Sequence, residues 1–151
     1  MNQIKVGDIL YRSKLIVQHA GVMLDNGKVL HNSPTNGAEI CTFNEYAQGK
    51  VVKVISSDLD IEQQNQFKQK GVSLVEQAKE YDLFDFNCEH LVSLVKSGKP
   101  TSSQLNGAIV GASVGVVIAK NSKNPLITIG LCSVAGLLAT NLFREYNYTV
   151  S

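Results

Sequence analysis

The chain has 151 residues, enough for one domain with a real core and too few for two ordinary ones. Its formal net charge of +1 gives no large field of either sign, which argues against a nucleic-acid footprint or a strongly acidic partner. Cys41, Cys88 and Cys132 stand far apart and form neither a CxxC pair nor a disulfide framework, so an intracellular, reducing compartment is expected.

The first residues, "MNQIKVGDILYRSK", mix charged and apolar side chains without an unbroken apolar core, so no signal peptide is expected. Short runs rich in Val, Ile and Leu follow: "DILYRSKLIVQ", "HAGVMLD", "GKVLHN", "AEICTF" and "KVVKVISS". Turn formers such as "DNG" and "NSPTNG" separate them, and Asp25-Asn26-Gly27 between two apolar runs predicts a hairpin. The stretch "DLDIEQQNQFKQKGVSLVEQAKEY" places Ile61, Phe67, Leu74 and Val75 among long polar side chains and predicts an amphipathic helix despite Gly71. "NCEHLVSLVKSG" predicts a second helix ending at Gly98, before Pro100. Strands first and helices later, without βαβ alternation, predict an α+β fold with a small antiparallel sheet packed against helices.

Composition changes at Gly107. From there to Phe143 the only charges are Lys120 and Lys123, in a polar knot "KNSKN" between two apolar arms. The second arm, about 19 uncharged residues, approaches the thickness of a bilayer's hydrocarbon core as a helix. Gly107, Gly111 and Gly115 put small residues on one helical face and let another backbone come close, whether within the chain or in a second copy. The expected organisation is a soluble domain over 1–106, a hydrophobic helical hairpin over 107–143 that attaches to a membrane or covers an apolar face, and a polar tail over 144–151.

Cys88 lies at the start of the second predicted helix, where backbone N–H groups and the helix dipole lower a thiol pKa and favour a nucleophile. Such a thiol needs a base and a group to orient that base. His19 opens one strand of the predicted hairpin and His31 closes the other, so both imidazoles can project from one end of the sheet. His90, about 200° around the helix from Cys88, is expected to be structural. The competing readings are an inert packed cysteine and ordinary strand histidines. A metal site is disfavoured because no pair has short ligand spacing, and no cofactor motif stands out. Cys41, Cys132 and Asp8 are expected to be structural.

"VGDILYR", "HAGVMLDNGKVLH" and "NCEHLV", followed by a C-terminal apolar tract, resemble the lecithin retinol acyltransferase-like (LRAT-like) family. This is a permuted branch of the NlpC/P60 superfamily of papain-like thiol hydrolases and acyltransferases. The resemblance runs from about Val6 to Phe143. It implies Cys88 as a nucleophile that forms a thioester acyl-enzyme, His19 as general base and His31 as the residue orienting that base. It also implies a phospholipid or other acyl ester as substrate and a membrane anchor in 107–143. Met23 and Leu91 stand where the family often has aromatic residues, which leaves the acyl-site contacts open. Alternatives within the resemblance are an amidase or peptidase of the NlpC/P60 type, or a non-catalytic membrane protein that keeps the fold, as in viral 2A-like proteins with an H-box and NC pattern.

Overall fold

A computed structural model describes residues 3–33, 35–77 and 87–151. The fold is α+β: among the described residues, a six-stranded antiparallel sheet in the order β4-β3-β2-β1-β5-β6, with five helices. The strands are β1 (Ile9–Lys14), β2 (Val17–Asp25), β3 (Lys28–Ser33), β4 (Gly37–Thr42), β5 (Val52–Ile55) and β6 (Tyr148–Val150). The helices are α1 (Phe43–Ala47), α2 (Ile61–Glu76), α3 (Cys88–Ser97), α4 (Ser103–Ala119) and α5 (Pro125–Leu142).

The hairpin expected at "DNG" is the β2–β3 turn, where Gly27 takes the left-handed conformation that closes a two-residue connection (φ 70°). Gly21 faces His31 across this pair, and His31 in turn faces Glu39 on β4. The run "DILYRSKLIVQ" is not one strand. It breaks at Leu15–Ile16 into β1 and β2, with Leu15 itself left-handed (φ 57°) and none of the residues that normally announce such a turn. The expected strand "AEICTF" ends one residue early because Thr42 and Glu45 form a reciprocal capping box that starts α1.

Alternation along the strands divides the core between the two faces of the sheet. Ala20, Val22, Leu24 and Leu30 meet Phe67, Leu74, Leu91, Val92 and Val95 from α2 and α3 on one face. Leu10, Met23, Val29, Val52 and Val54 surround Tyr46 of α1 on the other. Gly71 of α2 is buried, and a Cβ there would strike the Leu24 side chain, so the residue that looks unfavourable for a helix is what lets the helix approach the sheet. The end of that expected helix, beyond Gln77, lies outside the described residues. Asn87 caps α3 and Gly98 ends it in the left-handed conformation (φ 75°).

The chain divides into two compact units, one of residues 1–14, 18–101 and 145–151, the other of 15–17 and 102–144. The second contains α4 and α5, packed on each other as a helical hairpin. Its turn holds Lys120 and Lys123, and Ser122 bonds to Thr128 at 2.7 Å to close it. Gly107, Gly111 and Gly115 all face α5, and a Cβ on Gly111 would collide with the Cys132 carbonyl. The glycine face is therefore taken up within the chain rather than offered to a second copy. Cys132 packs there, as expected. The last segment is more than a polar tail: Tyr148–Val150 pairs with β5 as an edge strand.

Candidate active site

His19 and His31 come from adjacent strands, two residues out of direct register, so both side chains leave the same face of the sheet. Both are buried, at 5% and 7% exposure, and His19 Nε2 lies 3.2 Å from His31 Nδ1. The far nitrogen of His31, Nε2, lies 3.4 Å from Glu39 Oε1. A carboxylate only accepts, which places the His31 proton on Nε2 and leaves Nδ1 to accept from His19 Nε2–H. His19 Nδ1 then carries the lone pair, the form that a general base needs.

Burial, together with the positive field of His31, Arg12 and Lys14, pushes the His19 pKa down to about 3. Burial also lowers that of His31, opposed by Glu39. Both imidazoles are therefore neutral at pH 7.

Tyr46 holds His19 from the α1 side. Its ring stacks on the imidazole at 5.6 Å between centroids, and its hydroxyl lies 2.7 Å from the His19 carbonyl and 2.9 Å from that of Leu10. Gly21 makes this possible: a Cβ there would come within 2.7 Å of the Tyr46 ring. The histidine pair, Tyr46, Glu39, Cys41 and Arg12 all line one open cavity of ≈ 640 Å³.

Cys88 approaches from the other face. It is partly buried, packs beside the α2–α3 core, and its Sγ accepts from the Ala20 N–H at 3.5 Å. The His19–Ala20 peptide thus has its carbonyl held by Tyr46 and its N–H held by Cys88. The structure brings all three expected site residues to this one peptide, the histidines touching through their rings and the thiol meeting His19 through the backbone. The sulfur's hydrogen bond is to the peptide N–H and not to the imidazole.

The expected lowering of the thiol pKa is corrected by burial. Burial raises it most, and the Glu89 carboxylate adds to this; the N–H groups of Ala20, Glu89 and Cys88 pull the other way without prevailing. The helix start acts in the expected direction, but its effect is smaller than the loss of solvent. The resting pair is a neutral thiol and a neutral imidazole.

His90 is held in the α3 cap, its Nδ1 accepting from the Asn87 N–H at 3.3 Å. Asp8, 2% exposed, accepts from the backbone of Lys5 and Ser57 and from the Tyr148 hydroxyl, a structural clamp. Cys41 does more than pack, because it lines the cavity beside the histidines, with its pKa raised to about 11 by burial and by Glu39 and Glu45. Among the described residues, no group of three or more His, Cys, Asp or Glu could hold a metal ion.

The sequence reading missed Glu39, Tyr46 and Arg12. Each had a signal: strand alternation places Glu39 and Arg12 on the histidine face, and the Thr42–Glu45 capping box announces the helix that carries Tyr46.

No family model matches the chain, and no curated protein matches it.

Proposed function

We propose that this protein is a membrane-associated thiol acyltransferase or phospholipase of the permuted NlpC/P60, LRAT-like type. The observation that carries the reading is the convergence of Cys88 and His19 on the His19–Ala20 peptide, with His31 3.2 Å behind His19. Turnover on this reading requires Cys88 Sγ to leave the Ala20 N–H and reach the His19 imidazole, a local rearrangement of the His19–Ala20 segment that ester binding would have to drive. His19 Nδ1 takes the thiol proton as sulfur attacks the carbonyl carbon, and the same proton then passes to the leaving alcohol. The product is a thioester, which water or an acceptor amine or alcohol cleaves to restore the thiol. His31 and Glu39 keep the His19 tautomer, as a carboxylate does in a serine triad.

The hairpin supports a membrane setting. Pro125–Leu142 is long and apolar enough to cross a bilayer, and only 6% of it is buried. Val110, Val117, Leu126 and Leu131 are among the side chains left more than half exposed on the two arms. A core helix would hide such side chains. Arms of 17 and 18 residues reach about 26 Å, close to the hydrocarbon thickness. The lysines at the turn then extend to the polar boundary.

Intact mass spectrometry after brief incubation with phospholipid vesicles tests the chemistry. One added fatty acyl mass is expected on the wild type and none on Cys88→Ala or His19→Ala. The Ala20 contact of the sulfur favours a second reading, a membrane-interacting protein that keeps the fold without turnover. No adduct and no lysolipid would establish that reading in place of the first, whereas cleavage of peptides without any lipid adduct would point to an amidase.

A further inference from the structure

Arg12 presents a charge that the proposed chemistry does not use. It projects from β1 into the wall of the histidine cavity and is 6% exposed. Its Nη1 donates to Gln48 Oε1 at 2.9 Å, while its Nε–H is buried without an acceptor. The ion pairs among the described residues are His31–Glu39 and Lys68–Asp25, and neither includes Arg12. The two carboxylates on the same wall are engaged elsewhere. Glu39 faces His31, and Glu45 accepts from the Thr42 N–H and hydroxyl in the α1 capping box.

The compensation that Arg12 does receive is small. One neutral amide oxygen and the face of Tyr46, 5.5 Å from the guanidinium carbon, stand where a buried arginine ordinarily meets a carboxylate. Lys14 lines the same cavity and adds a second cation. A guanidinium presents a planar fork suited to two oxygens, and a nearby ammonium suits a third. That count favours a phosphate-type group over a carboxylate.

We propose that Arg12, backed by Gln48 and joined by Lys14, forms a binding site for a phosphate-type oxyanion in the cavity beside the histidine pair. The group is either a free ion or the phosphodiester of a lipid headgroup, since both present the same oxygens to the fork. The site is independent of thiol chemistry, and its test requires no turnover.

The experiment uses the full chain in micelles of a maltoside detergent, which has an uncharged, phosphate-free headgroup. The Arg12 Nε–Hε resonance and the His19 and His31 ring resonances are followed by NMR during titration with inorganic phosphate, and separately with a phospholipid added to the micelles. A saturable shift with inorganic phosphate supports a free-ion site, and a shift with phospholipid alone supports a headgroup site. Arg12→Gln should weaken the apparent affinity about tenfold or more, as loss of charge-assisted hydrogen bonds does, with Arg12→Lys in between. If Arg12→Gln does not fold, Arg12→Lys and the half-buried Lys14→Gln variant supply the comparison. Resonances that move with neither probe, that move equally with chloride, or that respond unchanged in the Arg12 variants would overturn the proposal.

Discussion

The Tyr46 hydroxyl lies 2.7 Å from the carbonyl oxygen of His19, and the N–H of that same peptide meets the Cys88 sulfur. One side chain, 1% exposed, therefore fixes the backbone on which the proposed base and nucleophile converge. Tyr46→Phe keeps the ring stacked on His19 but leaves two buried carbonyls without their shared donor. The expected loss of stability is about 1–3 kcal/mol, read from denaturant unfolding. Acyl-enzyme formation should fall further than the stability loss explains, because the His19–Ala20 peptide is free to rotate. A variant as stable and as active as the wild type would show that the hydroxyl positions nothing.

Glu39 offers a sharper test of the tautomer argument. Glu39→Gln removes the charge opposite His31 Nε2 while keeping the shape of the side chain. Its amide can donate as well as accept, so His31 is no longer held with its proton on Nε2. Long-range nitrogen–proton NMR of the imidazoles should show an Nε2–H tautomer for His31 in the wild type and a mixture in the variant. Turnover should drop by about tenfold or more, in keeping with loss of general-base orientation. A pure Nε2–H signal in both proteins would separate Glu39 from the site.

Thiol reactivity follows from the raised pKa of Cys88. The thiolate is the reactive form, so alkylation at pH 7 without substrate should be slow and should accelerate as pH rises beyond the ordinary cysteine range. A reactive plateau below pH 7 would mean a preformed thiolate–imidazolium pair, and the neutral-pair description would be wrong. Cys41, raised to about 11, should likewise stay unreactive at pH 7.

Stability should depend on pH through the two histidines. Their folded pKa values lie below the unfolded value of 6.5, with His19 at about 3. Between those values the unfolded chain binds more protons than the folded one. Their contribution is therefore complete above pH 6.5 and is lost as pH falls toward 3. Each fully displaced histidine contributes a slope of about 1.4 kcal/mol per pH unit in that window. Thermal unfolding at pH 7, 6 and 5 should show a falling midpoint, and His19→Gln should flatten the decline. An equal decline in wild type and variant would place the proton uptake elsewhere.

The parts of this fold that were legible in the sequence are those fixed by local chemistry. Asp25-Asn26-Gly27 specifies its hairpin because Gly27 supplies the left-handed conformation, and Asn87 and Gly98 delimit α3 because both ends of a helix need partners. The reversal at Leu15–Ile16 was hidden because a leucine occupies the conformation normally left to glycine or asparagine. In the site, strand neighbourhood was enough to pair His19 with His31. It did not reveal Glu39 or Arg12, whose roles depend on which strands lie on either side of that pair, a matter of tertiary order. The thiol pKa was misread for a related reason: helix position is visible in sequence, whereas the depth of burial that outweighs it is not.

The hairpin allows a test that separates packing from membrane contact, since its two kinds of surface carry different glycines. Gly111 sits against the Cys132 backbone, whereas a Cβ on Gly130 would meet nothing within 4 Å. Gly111→Leu should force α4 and α5 apart, costing about 1–3 kcal/mol or more through overpacking. Gly130→Ala should be neutral or stabilising by up to ~1 kcal/mol, because alanine is the better helix former. Loss of helical circular dichroism on denaturant titration in detergent micelles measures both. Vesicle binding should survive Gly111→Leu if it depends on the outward side chains such as Val117 and Leu131, which that substitution leaves in place. Equal sensitivity of both glycines would mean that the α4–α5 contact contributes little, and loss of vesicle binding with Gly111→Leu alone would mean that the membrane is met by the closed hairpin as a unit.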